Sequence, residues 1–162
     1  MRILKFLLKV MIPFNFYNEK ILFYHRIGSF LYRNRFKKIS TIFESIIYRK
    51  YNCIISNQAV IGKNLKLNHP IGVVIGTGVI IGNNVVIYQN VTLGRKKMDT
   101  PDYPIIEDNV TIYANSIVVG KIIVRENSII LANQVVSKTV NNGKKVIKNE
   151  NINNRSSRLY RV

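Results

Sequence analysis

Only two histidines, His25 and His69, occur in the chain. His69 stands in "LNHPIGVVIGTGVIIGNNVVIY", residues 67–88, among aliphatic residues, glycines and amides. No Asp or Glu occurs between Glu44 and Asp99. An imidazole that titrates near neutral pH can take a proton from a hydroxyl and return it to a leaving group. His69 is therefore the candidate general base of a group-transfer reaction, although a lone turn histidine, taken by its bare context, is more often structural. His25 falls in a helical pattern and is expected to pack or to face solvent. Cys53, the single cysteine, has no base beside it in sequence and reads as a buried thiol rather than an acyl nucleophile.

A six-residue period positions His69. Aliphatic residues recur at Ile55, Ile61, Leu67, Ile75, Ile81, Ile87 and Leu93, then at Ile106, Ile112, Val118, Val124, Ile130 and Val136. A second lining position follows four residues later, at Ala59, Leu65, Ile71, Val79, Val85 and Val91, then at Val110, Ser116, Ile122, Ser128 and Gln134. This regularity predicts a β-solenoid. Two breaks interrupt it. Two extra residues near "GVV" (72–74) are expected to bulge the coil behind the histidine. The longer insert "RKKMDTPDYP" (95–104) is expected to leave the solenoid as a loop.

The stretch "VIGKNLKLNHPIGVVIGTGVIIGNNVVIYQNVTLG" resembles the hexapeptide-repeat acyltransferases, most closely their serine-acetyltransferase-like branch. The resemblance covers residues 53–140, and its specific motifs are the histidine turn with "GVVIG" and the octapeptide "IYQNVTLG". It implies a left-handed parallel β-helix with three hexads per coil. It also implies a homotrimer, and acetyl-CoA lying between neighbouring subunits. By the same resemblance His69 takes the place of the catalytic base. The chain departs from that branch where an aspartate supporting the histidine becomes Ile54, where the residue before it becomes Asn68, and where a second histidine becomes Tyr103. Any carboxylate orienting His69 must then come from the helices, the 99–108 stretch or another subunit; otherwise a backbone carbonyl must hold the ring. The related β-helix carbonic anhydrases need three zinc-binding histidines, which two cannot supply, so no metal is expected.

With three hexads per coil, one corner collects Asn64, Asn84, Asn109 and Asn127, an asparagine ladder suited to left-handed turns. A second corner collects His69-Pro70, Gln89-Asn90, Ala114-Asn115 and Ala132-Asn133. With strands about 4.8 Å apart, His69 and Ala132 are separated by roughly 14 Å along the axis. This corner suits an extended pantetheine arm, so Gln89, Asn90, Gly94, Ala114, Asn115 and Ala132 are candidate contacts to acetyl-CoA. Asn68, Arg95 and Tyr103 are candidate contacts to the acceptor.

Residues 1–52 carry a helical period in three segments: 2–11, 20–34 and 38–50. They hold 11 Lys and Arg against Glu19 and Glu44, a net +9. Residues 53–140 hold 8 against 5, a net +3, and the tail 141–162 holds 6 against Glu150, a net +5. Basic ends attract polyanions. The absence of any recognisable nucleic-acid module points instead to an anionic membrane or an acidic glycan. The helices serve either as an amphipathic anchor or as a cap on the solenoid. A lone thiol fits a reducing compartment, so the expected location is the cytoplasm, at the inner membrane face if the helices bind lipid.

The expectation from sequence is thus an acetyl-CoA-dependent O-acetyltransferase acting on a hydroxyl of a sugar or bacterial surface glycan. The glycan preference rests on Ile54 and Tyr103, which remove charged partners that a zwitterion such as serine would need. The alternatives are a serine O-acetyltransferase and a non-catalytic solenoid that docks on a membrane or polyanion.

Overall fold

A computed structural model describes residues 16–97 and 99–146. The segment expected as a helix over 2–11 and the tail beyond residue 146 lie outside these. Two antiparallel helices, α1 (Phe16–Arg33) and α2 (Lys37–Tyr51), precede a solenoid of strands two or three residues long.

Every third strand stacks in parallel, giving three walls. The first holds β1 (Ile54–Ile55), β4 (Val74–Ile75), β7 (Thr92–Gly94), β10 (Ile117–Val119) and β13 (Val135–Val136). The second holds β2 (Val60–Ile61), β5 (Ile80–Ile81), β8 (Ile105–Ile106) and β11 (Ile123–Val124). The third holds β3 (Lys66–Leu67), β6 (Val86–Ile87), β9 (Thr111–Ile112), β12 (Ile129–Ile130) and β14 (Lys145–Val146). The solenoid thus continues past the expected boundary at residue 140. Its fold is the left-handed β-helix.

The aliphatic register follows the expected period. In each wall the hexad aliphatic points inward, and Ile55, Ile75, Leu93 and Val118 of the first wall are all buried. Full burial of such a side chain stabilises by about 1.5–3 kcal/mol. The serine followers are bonded, Ser116 Oγ donating to Leu131 O at 2.8 Å and Ser128 Oγ to Asn141 O at 2.9 Å. Gln134 Nε2 donates to Ala132 O at 3.0 Å, while its Oε1 is buried without a partner among the described residues.

One lining residue does not follow the expectation. Ile71 is 62% exposed and Val73 is buried in its place. The two extra residues lie at 70–72 rather than at 72–74, because Val74 already pairs with Ile54 in the first wall.

The helices close the base of the solenoid. His25 Nε2 lies 3.2 Å from Ser56 O, Asn57 N donates to Glu44 Oε1 at 2.6 Å, and Asn57 Nδ2 donates to Ser40 O at 2.6 Å. Gly28 is needed at this contact, since a Cβ there would overlap the Asn57 side chain. His25 is buried, and that burial lowers its pKa below the ordinary value.

Candidate active site

His69 sits at the corner between the third and first walls, at the bottom of the stack. The corners above it run from Ile87 to Val91, from Ile112 to Ser116 and from Ile130 to Gln134, and each of these end residues is buried. The histidine corner runs from Leu67 to Val73 and is two residues longer. His69 takes the left-handed conformation at φ 51, and Ile71 N donates back to His69 O at 2.7 Å. Gly72, at φ 68, then fills the left-handed rung that Asn90, Asn115 and Asn133 fill above it. A Cβ on Gly72 would overlap Asn90 Oδ1. The longer turn carries His69 out of the ladder into solvent, where its ring makes no hydrogen bond among the described residues.

Cys53 ties this turn down. Its Sγ donates to Pro70 O at 2.9 Å from a fully buried position, and burial raises the thiol pKa. That is an inert structural thiol.

A cleft of about 810 Å³ opens beside the imidazole. Its floor is the turn from Lys66 to Ile71, and its sides are the start of α1 and the end of α2. Asn18 fixes α1 there: its Oδ1 accepts from Leu67 N at 2.8 Å. Two charged helix side chains absent from the sequence expectation thereby join His69 in one cleft, Glu19 from α1 and Lys50 from α2. Tyr51 also lines it; its buried hydroxyl has no partner among the described residues, and burial raises its pKa.

The other expected site residues fall into two groups. Asn68 lines the histidine cleft. The registers Leu67–Ile87, Ile87–Ile112 and Ile112–Ile130 put Gln89, Ala114 and Ala132 in one column above the turn. Gln89 Oε1 is buried there with no hydrogen-bond partner among the described residues. Asn90 and Asn115 bond each other, Nδ2 to Oδ1 at 3.0 Å, as part of the corner ladder. Gly94, Arg95 and Tyr103 lie elsewhere, at the corner between the first and second walls where residues 95–104 leave the solenoid. The Tyr103 ring covers Gly76 and Gly78, where a Cβ would meet it, and Arg95 lies 6.0 Å from its centroid. Within one subunit the structure does not bring Tyr103 or Arg95 to His69.

No family model matches the chain. It is 41% identical over 118 residues to a serine acetyltransferase of Staphylococcus epidermidis, covering 72% of this chain and 55% of that protein. It is 30% identical over 127 residues to a plasmid serine acetyltransferase of Synechococcus elongatus, covering 72% and 40%. Soybean serine acetyltransferase complexed with serine superposes with TM-score 0.77 at 31% identity, covering 80% of this chain and 54% of that one. A serine acetyltransferase complex with CoA superposes with TM-score 0.73 at 29% identity, covering 77% and 52%. The chain spans about half the length, 40% to 55%, of these relatives.

The three-walled coil with its histidine corner is that of the hexapeptide-repeat, left-handed β-helix acyltransferases. Within that family the chain belongs to the serine-acetyltransferase-like branch. The expectation of a sugar or glycan acceptor is corrected accordingly: the relatives are serine acetyltransferases, and a structural neighbour is complexed with serine. Charge at the site is not set by Ile54 and Tyr103 alone. The helices bring Glu19 and Lys50 to the same cleft.

Proposed function

We propose that the protein is an acetyl-CoA-dependent serine O-acetyltransferase. The observation that carries this reading is the meeting of His69, Glu19 and Lys50 in one cleft of a serine-acetyltransferase-like solenoid. A zwitterion is costly to desolvate unless both its charges find partners. Glu19 is suited to the ammonium and Lys50 to the carboxylate, which leaves the side-chain hydroxyl to the imidazole.

His69 takes the hydroxyl proton as the serine oxygen attacks the thioester carbonyl. The tetrahedral adduct collapses, the carbon–sulfur bond breaks, and the imidazolium returns the proton to the departing thiolate. Acetyl passes directly to serine with no covalent enzyme intermediate. The column of Gln89, Ala114 and Ala132 receives the pantetheine arm along the corner, and Asn68 borders the acceptor.

A homotrimer fits this reading. Ile54, Ile117 and Val135 of the first wall and Val60 and Ile80 of the second expose apolar side chains, and a repeated heterologous contact would bury both walls. Such closure would also bring Arg95 and Tyr103 of one subunit towards the cleft of the next. The lone buried thiol suits a cytoplasmic protein.

The test is to incubate the full chain with acetyl-CoA and L-serine, following CoA release and identifying O-acetylserine by mass. Serine-dependent product supports the reading; CoA turnover that ignores serine overturns it.

A further inference from the structure

The helices turn a face away from the solenoid that has no partner among the described residues. In α1, the buried residues are Ile21, Leu22, His25, Gly28 and Ser29. At 100° per residue, Phe23, Ile27 and Phe30 lie on the opposite side. In α2 the buried residues are Ser40, Ile47 and Tyr51; Ile39 and Ile42 are exposed on the other side, with Ile46, like Ile27 of α1, half-buried beside them. The rings of Tyr24 and Phe43, 6.5 Å apart, close the seam between the helices, so the two apolar rows form one band. Phe23 is 58% exposed, Phe30 66% and Ile42 54%, although large apolar side chains normally fill a core.

Charge indicates what covers the band. Residues 16–52 carry eight Lys and Arg against Glu19 and Glu44. Glu44 faces the solenoid and accepts from Asn57 N. Glu19, exposed in the first turn of α1 and also lining the His69 cleft, is the one acid on the band's side, against Arg26, Arg33, Lys38 and Arg49. Arg26 and Arg33 flank the row on α1, and Lys38 and Arg49 flank that on α2. All four are exposed, without an acidic partner among the described residues. A second copy would set one cationic rim against another. Residues 1–15 bring Arg2, Lys5 and Lys9 and no acid, so they too would repel the rim. No helix among the described residues is long and apolar enough to cross a membrane. An apolar band edged by cations is, however, what an in-plane interfacial surface needs.

We propose that the outer face of the α1–α2 hairpin docks the protein on an anionic lipid bilayer. Phe23, Ile27, Phe30, Ile39, Ile42 and Ile46 enter the boundary between headgroups and acyl chains, and the flanking cations meet lipid phosphates. The His69 cleft lies at the solenoid side of the helices and stays open to solvent.

The test uses the full chain and does not depend on acetyl transfer. In flotation with vesicles, the protein rises with phosphatidylcholine containing phosphatidylglycerol and not with phosphatidylcholine alone. Binding weakens steeply above about 0.1 M salt, where screening acts within about 10 Å. Phe23→Ser with Phe30→Ser lowers partition by about tenfold or more, with the fold checked by circular dichroism. Because the chain has no tryptophan, Phe30→Trp gives a single probe whose fluorescence shifts to the blue and is quenched by brominated phosphatidylglycerol. Failure to float with anionic vesicles, undiminished flotation of the folded double variant, or an unquenched indole in the Phe30→Trp variant would each overturn the proposal. A fall in oligomer mass in the double variant without loss of flotation would assign the face to a second copy instead.

Discussion

Cys53 Sγ lies 2.9 Å from the Pro70 carbonyl oxygen, so a buried thiol beside the first coil holds the turn that carries His69. The bond leaves the imidazole itself unrestrained and fixes the backbone beneath it. Cys53→Ala should cost about 1–2 kcal/mol of stability and lower turnover by about tenfold or more through misplacement of the base. Cys53→Ser, which keeps a donor, should recover most of the turnover. If Cys53→Ala turns over normally, the thiol is only a filler. Alkylation of Cys53 in the native protein should be slow, because burial raises its pKa, and should become fast on unfolding.

Ala114 and Ala132 leave the corner above His69 narrow and smooth. Replacing either with Leu should raise the acetyl-CoA KM with little change in melting temperature, since both side chains lie outside the core column. Normal CoA binding in both variants would place the donor elsewhere.

Glu19 reaches the cleft from a helix some fifty positions before His69 in the chain, which the sequence period could not reveal. Glu19→Gln should raise the serine KM on the order of tenfold, as loss of one charged hydrogen bond does, and leave the acetyl-CoA KM unchanged. An unchanged serine KM would remove Glu19 from the acceptor site.

The solenoid was legible because its strands repeat one local rule. Ile, Val or Leu every six residues has to face inward, and Asn64, Asn84, Asn109 and Asn127 tolerate the left-handed corners at φ 55 to 59. His69 was legible as a break in that rule. The displacement of Ile71 was not, because two inserted residues can be placed at either end of a turn until Val74 is seen paired with Ile54. The helix positions were legible from their apolar spacing, but their docking was not. It depends on Asn18, His25, Glu44 and Asn57, whose bonds cross long stretches of chain. Glu19 and Lys50 were missed for that reason.

His25 makes the helix–solenoid contact sensitive to acid. Burial is the largest cause lowering its pKa, so the folded state favours the neutral ring. The unfolded chain takes up its proton near pH 6.5 and the folded one only at lower pH. The contribution of His25 is therefore fully present above about pH 6.5 and is lost as pH falls through the folded value. Melting temperature should decline across that window, and His25→Gln should flatten the decline. An unchanged slope in the variant would assign the acid sensitivity to other groups.

The most direct measurement is single-substrate-varied kinetics of serine-dependent CoA release by the His69→Asn variant. Asparagine tolerates the left-handed conformation that His69 holds at φ 51, so the turn is kept while the base is removed. Turnover should fall by about a hundredfold or more, with the melting temperature and CoA binding retained. A folded His69→Asn protein that acetylates serine at the parent rate would contradict the assignment of His69 as the base.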